Sequence, residues 1–496
     1  MTTTAPPPAH SRSGDRLQLQ EILELQRAAF LADGIPDAAT RIDRVNRLQA
    51  MILDNADALV EALREDFGTR PRGLSLSGDV LSCMADLDHQ KKHLTSWMGT
   101  SVPATVLNRL GVRHRVRRDP KGVVGVVGPW NFPVMLTVVP AGAAFAAGNR
   151  VMLRPSEITA HTVDVLAGAA PDYFALEELA VITEAHGDGA AFAALPLDHL
   201  FFTGSPAVGA LVAQAAGRNL VPVTLELGGK NPVVVDRDTD VRRAARRIAA
   251  SRVINAGQVC LCPDYVFVPE EHLDEFVRAT LGAWRSTVPR LADNDDYTSI
   301  INARNYERVV GLVEDAVAKG ATKQEALPDG EPGPDPRTRK VPPTLLTGVT
   351  DDMLVAQEEI FGPVLAVYPY ADLAEPIAHI NRHPSPLTLY WYGDDNDRFH
   401  RLQENTRSGS VNANDFGLNM LSSEVPFGGV GRSGYGAYHG KAGFDTFSHA
   451  RPVVFSKLPL STAAMMAPPF KRADDWSNSL QLALLRRRMS RVRRRA

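Results

Sequence analysis

Hydrophobic positions fall into two textures along the chain. From about residue 17 to 67 apolar side chains recur at helical spacing, as in VNRLQAMILDNADALVEALREDFG, and Gly68 is a stop signal. Two or three amphipathic helices are expected there, with a further helical segment near 71–100. Residues 111–118 (GVRHRVRR) alternate apolar and basic side chains, the pattern of an exposed strand. From 121 onward, short β-branched runs alternate with helical stretches. The runs are GVVGVVG, NRVMLRP, AVIT (180–183), HLFFTG (199–204) and VPVTLELGG (221–229), with helices expected over 159–170 and 206–217. The alternation resumes with NPVVV, a basic helix over 238–254, DYVFVP and a helix over 271–286. Strands alternating with helices predict βαβ units and mainly parallel sheets. The Pro/Gly-rich run 328–340 reads as a surface loop.

Gly122 to Asn149 carries no charged side chain and is long enough to span a bilayer. Pro129, Asn131, Pro133 and Pro140 interrupt it, so a buried strand, a sharp turn and a buried helix fit better. The net charge of -3 over 496 residues gives no global attraction to nucleic acid. Its distribution is uneven: Arg486 to Ala496 holds seven arginines, leaving about -10 on the rest (-3 minus 7). Leu482, Leu485, Met489 and Val492 would share one face of a tail helix fringed by Arg486, Arg487 and Arg488. Such a helix suits peripheral contact with an anionic membrane, a partner, or simply solvent. The three cysteines, Cys83, Cys260 and Cys262, argue against a disulfide scaffold and for a reducing, cytoplasmic setting. Residues 1–16 have no apolar secretory core and read as a disordered leader.

Four constellations could carry chemistry. Cys260 follows a glycine-containing loop, NAGQV, which suits a nucleophile projecting from a turn; a buried structural cysteine is the plainer reading. Glu226 sits in an apolar strand before two glycines, where burial would raise its pKa toward that of a general base; a solvent-facing edge position is the alternative. Asn131, in PWNFP, could donate to an oxyanion or cap the following helix. Phe202 to Gly209 is strand, glycine turn and helix start, a place for a phosphate or an ordinary turn. GVGRSG (429–434) matches GxGxxG, but no strand precedes it at βαβ spacing, so it reads as a loop.

Together PWNFP, GNRVMLRPSE, FFTGSPAVG, LELGGKNP, NAGQVC, EEIFGPV and PFGGVGRSGYGAYHGKAGFDTFSH resemble the aldehyde dehydrogenase superfamily in order and spacing over about 20–455. PFGGVGRSGYGAYHGKAGFDTFSHARP resembles the class 3 branch, and AAFAALPLDHLFFTGS and DYTSIINAR resemble coniferyl aldehyde dehydrogenases. The resemblance implies two open α/β domains plus a small β bridging and oligomerisation element. The cofactor-binding domain would take 17–99 and 121–229, the catalytic domain 230–439, the bridging element 100–120 and 440–456, and the basic tail 457–496.

It also implies roles. Cys260 would be the nucleophile, with Asn131 and the Cys260 N–H as the oxyanion hole. Glu226 would be the general base, with Glu359 its rival. NAD, with NADP open, would be held by Trp130, Arg154, Ser156, Glu157, Gly204, Ser205, Val208, Leu227, Gly228, Glu359 and Phe361. No metal is expected. Arg154 departs from the usual Lys: it could keep the ribose contact or favour a 2′-phosphate. Glu157 would repel that phosphate. The implied reaction takes an aldehyde to its acid through a Cys260 thioester, with coniferyl or another aromatic aldehyde suggested and medium-chain aliphatic aldehydes the runner-up. A cysteine esterase and a non-catalytic scaffold are the competing classes. A homodimer is implied. Cys262 reads as packing, because its spacing disfavours pairing with Cys260.

Overall fold

The computed structural model describes residues 18–493 apart from 104, 110, 328, 329, 332, 460, 462, 464–466 and 469–471. The expected leader over 1–16 therefore lies outside the described residues, as do three positions of the 328–340 loop. The strands, in chain order, begin with β1 (Val112–Pro120), β2 (Val123–Val127), β3 (Arg150–Arg154), β4 (Leu179–Val181), β5 (His199–Gly204) and β6 (Val223–Leu227). They continue with β7 (Asn231–Val235), β8 (Pro263–Pro269), β9 (Thr322–Glu325), β10 (Thr344–Thr347) and β11 (Val364–Tyr370). The last are β12 (Thr388–Tyr392), β13 (Ser410–Ala413), β14 (Gly434–Tyr435) and β15 (Ser448–Ser456).

Two open sheets dominate. One has six strands in the order β14-β6-β5-β2-β3-β4, parallel except for β14. The other has seven, β13-β12-β7-β8-β11-β10-β9, parallel except for β9. The α/β fold is thus the one expected. Strands β2, β3 and β7 are buried almost throughout, as strands covered by helices on both faces must be. β1 and β15 form a separate two-stranded sheet. Two compact units result: residues 1–99 with 118–450, and residues 100–117 with 451–496.

The uncharged stretch resolves as β2, a turn, and the helix Met135–Ala146, every residue of which is buried. Among the described residues no helix is long and apolar enough to cross a membrane. The segment expected to be helical near 71–100 is interrupted: a π-helical turn, Leu76–Leu81, precedes the helix Ser82–Trp97. Asp79 is fully buried there and accepts from the Val134 and Met135 N–H groups at 3.0 and 3.2 Å, so it caps the Met135–Ala146 helix. Arg70 closes the pair at 2.6 Å.

GVGRSG is a loop, as expected. It leads into β14, where Gly434 lies opposite Glu226 in an antiparallel register. Gly434 has φ 125°, and a Cβ there would collide with the Leu225 carbonyl, so glycine is required for this approach to β6. Chain order alone puts 434–435 with the second α/β block; the hydrogen bonds attach it to the first sheet. In the second unit a helix spans Arg472–Arg493, with Trp476, Leu480, Leu485 and Met489 exposed. The Val492 side chain lies outside the described residues.

Candidate active site

The Cys260 loop is built by a turn that ordinary residues avoid. Asn255, Ala256 and Gly257 all have positive φ (49°, 51° and 75°), and a Cβ on Gly257 would overlap the Gly362 carbonyl. Such backbone persists only where its surroundings over-determine it. They do so here. Gln258 donates to the carbonyls of Asn255 (2.9 Å) and Ser299 (3.0 Å) and accepts from the Ile301 N–H (2.9 Å). Asn231 donates to the Cys260 and Cys262 carbonyls at 2.8 and 3.1 Å, and the Tyr390 hydroxyl donates to the Leu261 carbonyl at 2.9 Å. Cys260 stands partly exposed, while Cys262 is buried with its thiol toward the Ser251 carbonyl at 3.6 Å. All three cysteines are free thiols.

A cavity of about 670 Å³ joins Cys260 to Asn131, Glu226 and Glu359, and continues to Gly204, Ser205 and Val208 at the start of the helix Pro206–Gly217. Trp130, Leu227, Gly228 and Phe361 also line it. The Asn131 amide donates one hydrogen bond, to the Gln258 carbonyl at 3.2 Å, and is not a helix cap, since Asp79 fills that place. One of its two N–H groups is left for another acceptor. Arg70 donates to the Asn131 carbonyl at 3.2 Å. Removing either member of the buried Arg70–Asp79 pair would strand a charge, at a cost of about 3–5 kcal/mol.

Glu226 is buried on β6 rather than solvent-facing, and neither carboxylate oxygen has a hydrogen-bond partner. Burial raises its pKa well above the ordinary carboxylate value. Glu359 is raised to about 8, first by burial and then by Asp264; the Gly229 N–H, Lys230 and Arg308 pull the other way. Its backbone is clamped, because Arg308 donates to the Glu359 carbonyl (3.1 Å) and the Ile360 carbonyl (2.7 Å), and Asp264 accepts from the Ile360 N–H (2.8 Å). A Cβ at Gly228 would overlap the Glu359 carboxylate, so that glycine is steric in purpose. Burial, then Glu359 and Glu226, push the Cys260 thiol up to about 12. At rest Cys260 is therefore a protonated thiol in a cavity that it shares with the two carboxyl groups.

Three of the expected cofactor residues do not line this cavity. Arg154 and Glu157 line another, of about 540 Å³, beside the helix Ala160–Tyr173. Ser156 is buried and accepts from the Ile158 N–H at 3.3 Å. Phe361 packs edge-on to Trp130, with ring centroids 5.3 Å apart. Sequence reasoning gave no role to Asn302, Arg308, Phe427 or Tyr438, which complete the main cavity. No periodicity or spacing marks them: they meet Cys260 only through the fold. Tyr438 stands within the GYGAYHGKAGF segment, where nothing local distinguishes it from its neighbours.

Comparisons with known proteins identify the family. Residues 4–453 match the aldehyde dehydrogenase family. A probable coniferyl aldehyde dehydrogenase of Caulobacter vibrioides is 44% identical over 466 residues, 93% of this chain and 96% of the relative. The coniferyl aldehyde dehydrogenase of a Pseudomonas species, strain HR199, is 44% identical over 452 residues, 91% and 94% of the two chains. The dimeric NADP-preferring aldehyde dehydrogenase of Rattus norvegicus is 36% identical over 442 residues, 89% and 95%. Among solved structures, the substrate-bound AldH of Staphylococcus aureus superposes with a TM-score of 0.85 at 31% identity, over 94% of this chain and all of that one. An indole-3-acetaldehyde dehydrogenase of P. syringae, in complex with NAD+ and IAA, gives 0.79 at 26% identity, over 88% of each chain. The chain belongs to the aldehyde dehydrogenase family, whose enzymes act on small-molecule aldehydes with NAD(P).

Proposed function

We propose that the chain oxidises an aromatic aldehyde of the coniferyl type to its carboxylic acid, using NAD, through a thioester on Cys260. One observation carries the reading: a single cavity joins the Cys260 thiol, the Asn131 amide and the carboxyl groups of Glu226 and Glu359 to a helix N-terminus. The residues fit a dinucleotide. Gly204 and Ser205 open that helix, whose N-terminal dipole favours a pyrophosphate, and Val208 and Ile158 offer exposed apolar surface for a base. Phe361 and Trp130 would flank the nicotinamide, with Glu359 at its ribose and Arg154 and Glu157 at the adenosine ribose. Ser156 would hold the backbone beside them, and Leu227 and Gly228 would form the floor.

The dinucleotide supplies the hydride acceptor, and the chain supplies the rest. Cys260 gives up its proton to a carboxylate and attacks the aldehyde carbon. The free Asn131 N–H and the Cys260 backbone N–H hold the oxyanion that forms. Oxidation leaves a thioester, which water cleaves after losing a proton to Glu226 or Glu359. Phe427 and Tyr438 give the cavity an aromatic wall near Cys260, which favours an aromatic substrate over a medium-chain aliphatic one. The names of the two 44% identical relatives point the same way.

The six-stranded sheet region (17–99 and 121–229) would be the cofactor domain and 230–439 the catalytic one. A homodimer is supported by the name of the rat relative and by the exposed Val453, Val454 and Phe455 of β15. A cytoplasmic setting is supported by three free thiols, and peripheral contact with anionic lipid by the exposed apolar and Arg side chains of the tail helix.

The test is reduced-dinucleotide formation from coniferyl aldehyde or decanal, with NAD+ or NADP+, for wild type and Cys260→Ala. Loss of about 10⁴-fold or more in the variant is expected. Faster turnover of decanal would replace the aromatic reading with the aliphatic one. Ester cleavage independent of dinucleotide, with no aldehyde oxidation, would overturn both.

A further inference from the structure

Arg154, the last residue of β3, has a side chain only 4% exposed, and its guanidinium is already spoken for. One terminal nitrogen donates to the Gly187 carbonyl at 2.9 Å and reaches the Thr183 carbonyl at 3.5 Å. The other is paired with the Glu184 carboxylate. Glu184 lies on a single 3-10 turn, Glu184–His186, and its side chain is 60% exposed. The cavity these residues line also receives Glu157, Asp164 and His186. Three carboxylates, those of Glu184, Glu157 and Asp164, thus share a cavity with one arginine.

A guanidinium fork is the natural receptor for a phosphate, because its parallel N–H groups match two phosphate oxygens. Here the face of the fork that could serve is filled from within the chain, by a carboxylate of the same charge as a phosphate. A dianion entering this cavity must displace Glu184 from Arg154 and then remain beside the displaced carboxylate and Glu157. A ribose hydroxyl meets neither obstacle: it is uncharged, and it can accept from a fork that keeps its carboxylate.

We propose that Glu184, through its ion pair with Arg154, is a specificity-determining residue that biases the chain toward NAD and against the 2′-phosphate of NADP. The inference rests on the dehydrogenase reading and deepens it at the cofactor end. It makes Arg154 a latent phosphate receptor, switched off by a residue 30 positions later in the chain. Glu184 is exposed and holds no buried polar group other than Arg154, so Glu184→Gln leaves the fold intact; the variant removes the charge and keeps the size.

The experiment is equilibrium binding of NAD+ and NADP+, measured by titration calorimetry without aldehyde, for wild type, Glu184→Gln, and Glu184→Gln combined with Arg154→Gln. Glu184→Gln is expected to lower the Kd for NADP+ by about tenfold and that for NAD+ by less than about threefold, the effect of one added charge-assisted hydrogen bond at a partly exposed site. The double variant should lose that improvement, because no fork remains to be freed. An unchanged NADP+/NAD+ ratio in Glu184→Gln overturns this inference while leaving the dehydrogenase reading in place. So does an improvement that survives in the double variant, which would mean that net charge alone is at work. Binding of neither dinucleotide by the wild-type chain overturns the dehydrogenase reading, and this inference with it.

Discussion

Around Cys260 the loop and the Glu359 backbone are held by hydrogen bonds from several segments, whereas around Arg154 the decisive carboxylate, Glu184, sits exposed on a single turn. The Cys260 loop is clamped by Gln258, Asn231 and Tyr390, and the Glu359 segment by Arg308 and Asp264. Most of those hydrogen bonds bridge segments tens of positions apart in the chain. The Arg154–Glu184 pair joins the end of β3 to a single 3-10 turn and faces solvent on the Glu184 side. Chemistry depends on distances held to a fraction of an ångström, so it is placed where the fold is over-determined. Selectivity between two cofactors differing by one phosphate needs only a charge in roughly the right place, and such a charge can sit on a pliable turn. Substitutions at the first region should therefore be severe and those at the second graded.

After Cys260→Ala, the largest effect should come from Asn131→Ala. It removes the side-chain donor proposed for the oxyanion, and kcat should fall by about 10²–10³-fold. The Kd for NAD+ should stay close to wild type, because the backbone carbonyl that Arg70 uses remains. Steady-state kinetics beside calorimetry would check this. A fall confined to KM would mean that Asn131 positions substrate without stabilising charge.

The two carboxyl groups come next, and they separate by pH. A base works in its ionised form, so activity should rise with pH through the Glu359 pKa of about 8 and then level. Glu359→Gln should abolish that limb and cost about 10²-fold if Glu359 is the base. If the limb survives there and disappears in Glu226→Gln, Glu226 holds the role. Glu226 offers a second readout. Its folded pKa lies above its unfolded one, so the fold favours its protonated form, and stability is lost as pH rises above the ordinary carboxylate value of 4.5. Glu226→Gln has no such dependence. It should match the wild type in stability near pH 4.5 and exceed it increasingly at higher pH, by denaturant melts across that range.

What the sequence made legible follows the same division. Strands β2, β3, β5 and β7 and the helices after them were readable because their apolar runs and periods are local. Cys260, Glu226 and Asn131 stood out because each residue type was odd for its surroundings. The π-helical turn at Leu76–Leu81 was not readable, since Asp79 within it is held by backbone 55 positions away. Gln258 lies inside the NAGQVC motif, yet its function depends on Ile301, 43 positions on. β14 has two residues and no period at all, and only its register with Glu226 gives it meaning. Glu184 was hidden for the opposite reason. An exposed glutamate in a loop is ordinary, and only the pairing to a nearly buried arginine makes it informative.

Gly257→Ala tests the clamp itself. The new Cβ meets the Gly362 carbonyl at φ 75°, and backbone on both sides is tied down. A stability loss of about 1–3 kcal/mol by chemical denaturation is expected, with Cys260 displaced and activity falling further than stability alone explains. Tolerance of alanine there would mean that the Cys260 loop is softer than its hydrogen bonds imply, and the contrast with the Arg154 region would weaken.

The smallest effect belongs to Arg154→Lys. An ammonium can keep one contact, to Glu184 or to the Gly187 carbonyl, but not the fork that holds both at once. The pair is exposed on the Glu184 side, so its net worth is at the surface scale, and a loss of about 1 kcal/mol is expected. The loop 183–187 should loosen, which amide hydrogen exchange at those residues would register, while Cys260 chemistry with NAD stays near wild type. A comparable fall in activity at saturating NAD would break the comparison, because it would make the Arg154 turn part of the catalytic geometry and not only of cofactor choice.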